Sequence, residues 1–205
     1  YGVDLDPEPL EWGRRHNLSQ LDENQLGRVE LVESDVREVK GPRADIVAAQ
    51  NFSFYTFMER PELRSYFESA RRNLEPDGLL VLDMMGGSQA MEEDREEIRD
   101  VNGFKYIWEQ RRFDPITHFN ECHIHFRFKD GSKLKRAFSY RWRLWSIPEV
   151  RELLDEAGFA WNQVYWEGTD PDTGEGNGEF RPRKQAPSDP AWIAYIVAVK
   201  ESARS

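Results

Sequence analysis

Three groups of polar residues stand where a chain of alternating strands and helices can use them. In "YGVDLDPEPLEWG" Asp4 ends a short apolar run just before a helix start. In "RVELVESDVREV" Asp35 ends a second run, and in "ADIVAAQNFSFYTF" Gln50, Asn51 and Phe52 end a third. Open α/β sheets bind ligands beyond the carboxyl ends of their strands, near the point where strand order reverses. A carboxylate placed there can accept hydrogen bonds from both the 2′ and 3′ hydroxyls of a ribose, each charge-assisted bond worth about 1.5–3 kcal/mol. Ribose binding is the role expected of Asp4. Asp35 is spaced either to reach an exocyclic adenine amine from the neighbouring strand or to serve as a turn residue. Gln50, Asn51 and Phe52 would line the same edge, unless Asn51 only satisfies a strand-end backbone group.

The elements needed to position these residues can be read from the pattern. "YGVDL" reads as a strand, followed by a helix with Asp6 as N-cap and Pro7 at its first position. Further strands are expected at Arg28 to Asp35, Ala44 to Phe52 and Leu79 to Gly87, with a helix over "RPELRSYFESARRNL" and a turn at "EPDG". Continuous apolar strands separated by amphipathic helices predict a parallel sheet covered on both faces. From about Gly103 to Trp145 three strands follow one another, the last two joined by the hairpin signal "KDGS". Cys122, Ile124, Phe126 and Phe128 share one face of the middle strand; Glu121, His123, His125 and Arg127 share the other, wet one. A helix over "IPEVRELLDEAGF" and two closing strands complete the chain. Between those two, "TDPDTGEGNGEFRPRKQAPSDP" reads as a long surface loop.

Composition excludes some classes of function. A net charge of −10 and a pI near 5 argue against a surface that tracks nucleic-acid phosphates. No apolar run approaches the roughly 18 residues that cross a bilayer, so no membrane partner is expected. The single cysteine excludes an internal disulfide and suits a reducing, cytoplasmic location. Glu121, His123 and His125 stand at alternate positions of one strand, and three ligands on one flat strand rarely converge, so no metal site is expected.

These stretches resemble class I S-adenosylmethionine-dependent methyltransferases of the small-molecule type. "GVDLDPEPLEWG" is similar to the family's second strand and helix, "ESDVREV" to its adenine-contacting segment, and "ADIVAAQNFSFYTF" to its fourth-strand motif. "ARRNLEPDGLLVLD" and the closing "AGF…AYIVAVK" follow in the expected order. The resemblance implies a doubly wound, Rossmann-like mixed sheet with an antiparallel closing strand and an antiparallel β lid. The core would occupy residues 1–102, the lid 103–145, and the closing helix and strand pair 146–205. It implies S-adenosyl-L-methionine as cofactor, held by Asp4, Leu5, Asp35, Val36, Gln50, Asn51 and Phe52, and a small-molecule acceptor methylated by direct displacement. Phe54, Tyr55, Arg141 and Arg143 are the expected acceptor contacts. His118, in "DPITHF", is the candidate base for an acceptor that must lose a proton. The family's first strand and its glycine-rich turn have no counterpart here, so either an upstream strand-helix unit is expected, the preferred reading, or another element fills its place. Two other readings remain open: a non-catalytic binding scaffold of the same fold, and a nicotinamide-dependent reductase, which shares the ribose-binding aspartate.

Overall fold

The computed structural model describes residues 1–201. Eleven strands, four α-helices and three single 3-10 turns are found among them. The chain starts with β1 (Gly2–Asp4) and α1 (Pro7–His16). Asp6 caps α1 by accepting the Glu8 N–H at 2.9 Å, with Pro7 pre-set for the first turn. A short helix α2 (Glu23–Leu26), closed by an Asp22/Gln25 capping box, leads into β2 (Leu31–Glu33). β1 and β2 pair in parallel, with Asp4 opposite Glu33.

The larger sheet contains five strands in the order β10-β9-β11-β4-β3. β3 (Ala44–Ala49) pairs in parallel with β4 (Leu74–Gly86). β11 (Trp192–Val199) runs antiparallel between β4 and β9 (Trp161–Thr169), and β10 (Gly176–Pro182) forms the outer edge. Two helices, α3 (Arg60–Arg72) and α4 (Ile147–Glu156), lie on one face. There Leu80, Leu82, Met84, Ala194 and Ile196 form one buried core with Leu63, Phe67, Val150 and Leu153. Burying a side chain of this size contributes about 1.5–3 kcal/mol.

A separate antiparallel sheet has the order β5-β6-β7-β8: Arg95–Val101, Phe104–Asp114, Phe119–Phe128 and Lys133–Arg143. It is joined to the core through Trp142, Leu144 and Trp145.

The mixed α/β architecture and the antiparallel second sheet match expectation, but several details differ. β1 and β2 form a two-stranded sheet of their own and do not extend the five-stranded one. Among the described residues helices cover one face of the large sheet rather than both; on the opposite face Val81, Met85, Tyr195 and Val197 are half-buried and Ile46 is exposed. The second sheet has four strands where three were predicted, so it starts at Arg95. "REEIRDV" is an exposed edge strand carrying only two apolar residues, which leaves no alternation to detect. "EPDG" is part of β4 at a register shift against β3, not a turn between elements. The glycine-rich connection contains β10, an edge strand whose pairing with β9 tolerates glycine and proline. His123 also departs from the expected wet face: it is 3% exposed, its Nδ1 2.8 Å from the Ser139 hydroxyl, while His125 Nε2 lies 2.9 Å from Glu109.

Candidate functional site

Parallel pairing brings two of the candidate carboxylates to neighbouring strand ends. The Ser34 N–H donates to the Asp4 carbonyl at 3.0 Å, so β1 and β2 end side by side and Asp35 follows directly. Asp4 is exposed; its Oδ1 accepts the Asp6 N–H at 2.9 Å, while Oδ2 takes no hydrogen bond among the described residues. Leu5 beside it is 68% exposed.

Asp35 is engaged from within the chain. Its carboxylate accepts the Arg37 backbone N–H at 2.8 Å and the Arg37 guanidinium at both oxygens, the shortest contact being 2.5 Å. The Arg37 side chain and then its N–H hold the Asp35 carboxyl below its ordinary range, and Asp35 in turn raises the guanidinium. Arg37 also reaches Glu62 of α3 at 3.6 Å and stands over the Phe57 ring at 5.5 Å. It thereby ties the loop after β2 to the elements that follow β3. Both Asp35 oxygens are thus in use, and an adenine amine would have to displace Arg37. Val36 is half-buried and packs against the core.

The third group is set by a residue the sequence reading did not single out. Gln50 and Asn51 are exposed and Phe52 is partly buried. Asn51 and Phe52 both have left-handed backbone, φ +59° and +56°. Beneath them Asp83 of β4, only 7% exposed, accepts the Asn51 N–H at 2.8 Å and the Phe52 N–H at 2.9 Å. Burial raises the Asp83 carboxyl, and the two N–H donors oppose that shift. The available signal was an acid in the middle of the apolar run "LLVLDMM". Phe52 meets Trp142 of β8 edge-on at 6.3 Å, joining this turn to the second sheet.

Phe54 and Tyr55, expected at the acceptor, are 1% and 0% exposed. Phe54 packs on Phe67. The Tyr55 hydroxyl donates to the Met85 carbonyl at 2.8 Å and accepts its N–H at 3.3 Å, and burial raises its pKa strongly. Both side chains are packed in the core, whereas the expectation places them at the acceptor. Arg143 is likewise engaged: it donates to the Met58 carbonyl at 3.2 Å and to Glu149 at 2.9 Å, and stacks over Trp145 at 3.7 Å. Arg141 is exposed, its guanidinium 5.5 Å from the Phe119 ring centre. His118 Nδ1 lies 3.1 Å from the Leu144 carbonyl. A carbonyl only accepts, so that nitrogen carries a proton, and in the neutral ring the lone pair lies on Nε2. The two glycines of "MMGG" serve close approach: a Cβ on Gly86 would strike the Trp192 ring, and Gly87 (φ +101°) sits against the Pro190 carbonyl.

Solved structures of similar shape settle the class of fold. One is an S-adenosylmethionine-dependent methyltransferase from Clostridium acetobutylicum, 16% identical, with a TM-score of 0.64 over 96% of this chain and 73% of that one. The fold is that of the S-adenosylmethionine-dependent methyltransferases. The methyltransferase CcbJ from Streptomyces caelestis matches at 15% identity and TM-score 0.69, over 95% of this chain and 72% of its own. CalS10 from Micromonospora echinaspora, an amino pentose methyltransferase solved with S-adenosylmethionine bound, matches at 17% identity and TM-score 0.63, over 97% and 72%. No protein-family model matches the chain, and no curated protein matches it by sequence. Within this fold, Asp4 lies at, and Asp35 and the Gln50–Phe52 turn follow, the carboxyl ends of parallel strands.

Proposed function

We propose that the protein is an S-adenosyl-L-methionine-dependent methyltransferase acting on a small-molecule acceptor by direct displacement. The observation that carries this reading is Asp4, an exposed carboxylate at the end of a parallel strand with one oxygen free of partners among the described residues, in a chain of methyltransferase fold. That carboxylate suits the vicinal hydroxyls of the cofactor's ribose. Leu5 offers an exposed apolar surface beside it, and Val36 stands next to the expected adenine edge. Gln50, Asn51 and Phe52 face the methionine half. Bound there, the cofactor would supply an electrophilic methyl on a sulfonium centre.

The chain's own contribution is orientation and exclusion of water, and alignment of this kind is worth up to about 7–11 kcal/mol of barrier. Phe52, held edge-on to Trp142, presents an aromatic ring at the turn, and rings attract sulfonium and ammonium cations. His118 has its Nε2 lone pair free for an acceptor that must lose a proton; a neutral amine needs no base. Arg141 is the exposed cation for an acidic acceptor group, since Arg143 is already committed. The acceptor is a small molecule and the setting cytoplasmic in this reading. Solved relatives of similar shape include the sugar N-methyltransferase KedS8 and the glycopeptide N-methyltransferase MtfA.

Incubation of the full-length protein with methyl-labelled cofactor and a panel of amino sugars and other small amines tests the reading. Label transferred to one class of amine, with release of S-adenosylhomocysteine, is the expected result. Cofactor binding with no transfer to any acceptor would favour the non-catalytic scaffold instead.

A further inference from the structure

Asp83 is a carboxylate in the middle of an apolar strand, and its burial is costly unless its oxygens are satisfied. It makes no ion pair among the described residues; the N–H groups of Asn51 and Phe52 satisfy it instead. Residues bearing a Cβ avoid the left-handed region, yet these two occupy it in succession. Successive N–H groups in such a turn converge into an anion-binding concavity, and here the anion comes from the neighbouring strand. An apolar residue at position 83 would pack at less cost but would leave both donors free to turn toward water. Tyr55 adds a second tie three residues further on, through the Met85 backbone.

We infer that Asp83 is a positioning residue for the cofactor edge of the site: it holds the Gln50–Phe52 turn from beneath, so that Asn51 and Phe52 stand where the methyl donor binds. The inference rests on the methyltransferase reading above. It adds a residue that acts through the turn without touching the ligand.

The test compares the full-length parent with Asp83→Asn and Asp83→Ala, using backbone amide exchange and calorimetric titration with S-adenosylhomocysteine. In the parent the Asn51 and Phe52 amides exchange slowly. In Asp83→Ala both become fast while the Leu82 amide, inside β4, stays slow and reports an intact sheet; affinity for S-adenosylhomocysteine falls by about tenfold or more. Asp83→Asn, close to isosteric, keeps one acceptor and loses part of both signals, which provides the measurement if the alanine variant fails to fold. Fast exchange of the two amides in the parent would overturn the inference. So would a variant that loses their protection yet binds S-adenosylhomocysteine as tightly as the parent, since Asp83 would then be structural only. A folded parent that does not bind S-adenosylhomocysteine removes the cofactor reading and this inference together, a result distinct from equal binding by parent and variant.

Discussion

Arg37 holds Asp35 by its backbone N–H at 2.8 Å and by its guanidinium at both carboxylate oxygens. The pair is local in sequence, but Arg37 also contacts Glu62 and Phe57, so it fixes the loop after β2 against the helix after β3. Asp35 therefore acts first as the anchor of this loop.

This pairing has a pH signature. The folded carboxyl titrates below its unfolded value, so its stabilisation is complete above the unfolded pKa near 4 and is lost as pH falls through the lower folded value. Arg37→Met keeps the stem over Phe57 and removes the pairing. Urea midpoints of parent and variant should differ at pH 6 and converge as the pH is lowered toward 3. A difference that stays constant over that range would mean the pairing contributes nothing.

Arg143 and Arg141 stand two residues apart on β8 with opposite roles. Arg143 stacks on Trp145 and donates to Glu149 and the Met58 carbonyl; a partly desolvated contact of this kind is worth about 0.5–2 kcal/mol before its hydrogen bonds are added. Arg143→Ala should cost about 2 kcal/mol in denaturant unfolding, and Arg141→Ala should stay within about 0.5 kcal/mol, as surface changes do. Equal costs would contradict these placements.

Cys122 is fully buried, and burial pushes its thiol up to about 12. The thiolate is the reactive form. The native protein should therefore show no reaction with a disulfide reagent at pH 8, with one thiol per chain appearing on unfolding. Rapid native labelling would show that β7 opens readily.

The strands β3 and β4 were legible because apolar runs such as "ADIVAAQNF" and "LLVLDMM" are continuous, and the Asp6-Pro7 helix start carries its own cap; the separate pairing of β1 with β2 was not. Arg95–Val101 was not, because an exposed edge strand need not alternate. The position of Asp4 at a strand end was readable from the apolar run before it. Asp83, the reach of Arg37 to Glu62 and Phe57, and the commitment of Arg143 and Tyr55 were not, because each is defined by a partner distant in the chain or by burial that local pattern does not encode. Asp83 meets partners 32 and 31 residues away, and a single acid in a strand does not announce which N–H groups it will take.

In the proposed site Asp4 holds the ribose of S-adenosyl-L-methionine. Calorimetric titration of S-adenosylhomocysteine into the full-length protein and its Asp4→Ala variant tests it most directly. Binding by the parent and a loss of about 10- to 150-fold in the variant, corresponding to about 1.5–3 kcal/mol, are expected with both proteins folded. Equal affinities would remove Asp4 from the site, and no binding by a folded parent would contradict the methyltransferase assignment itself.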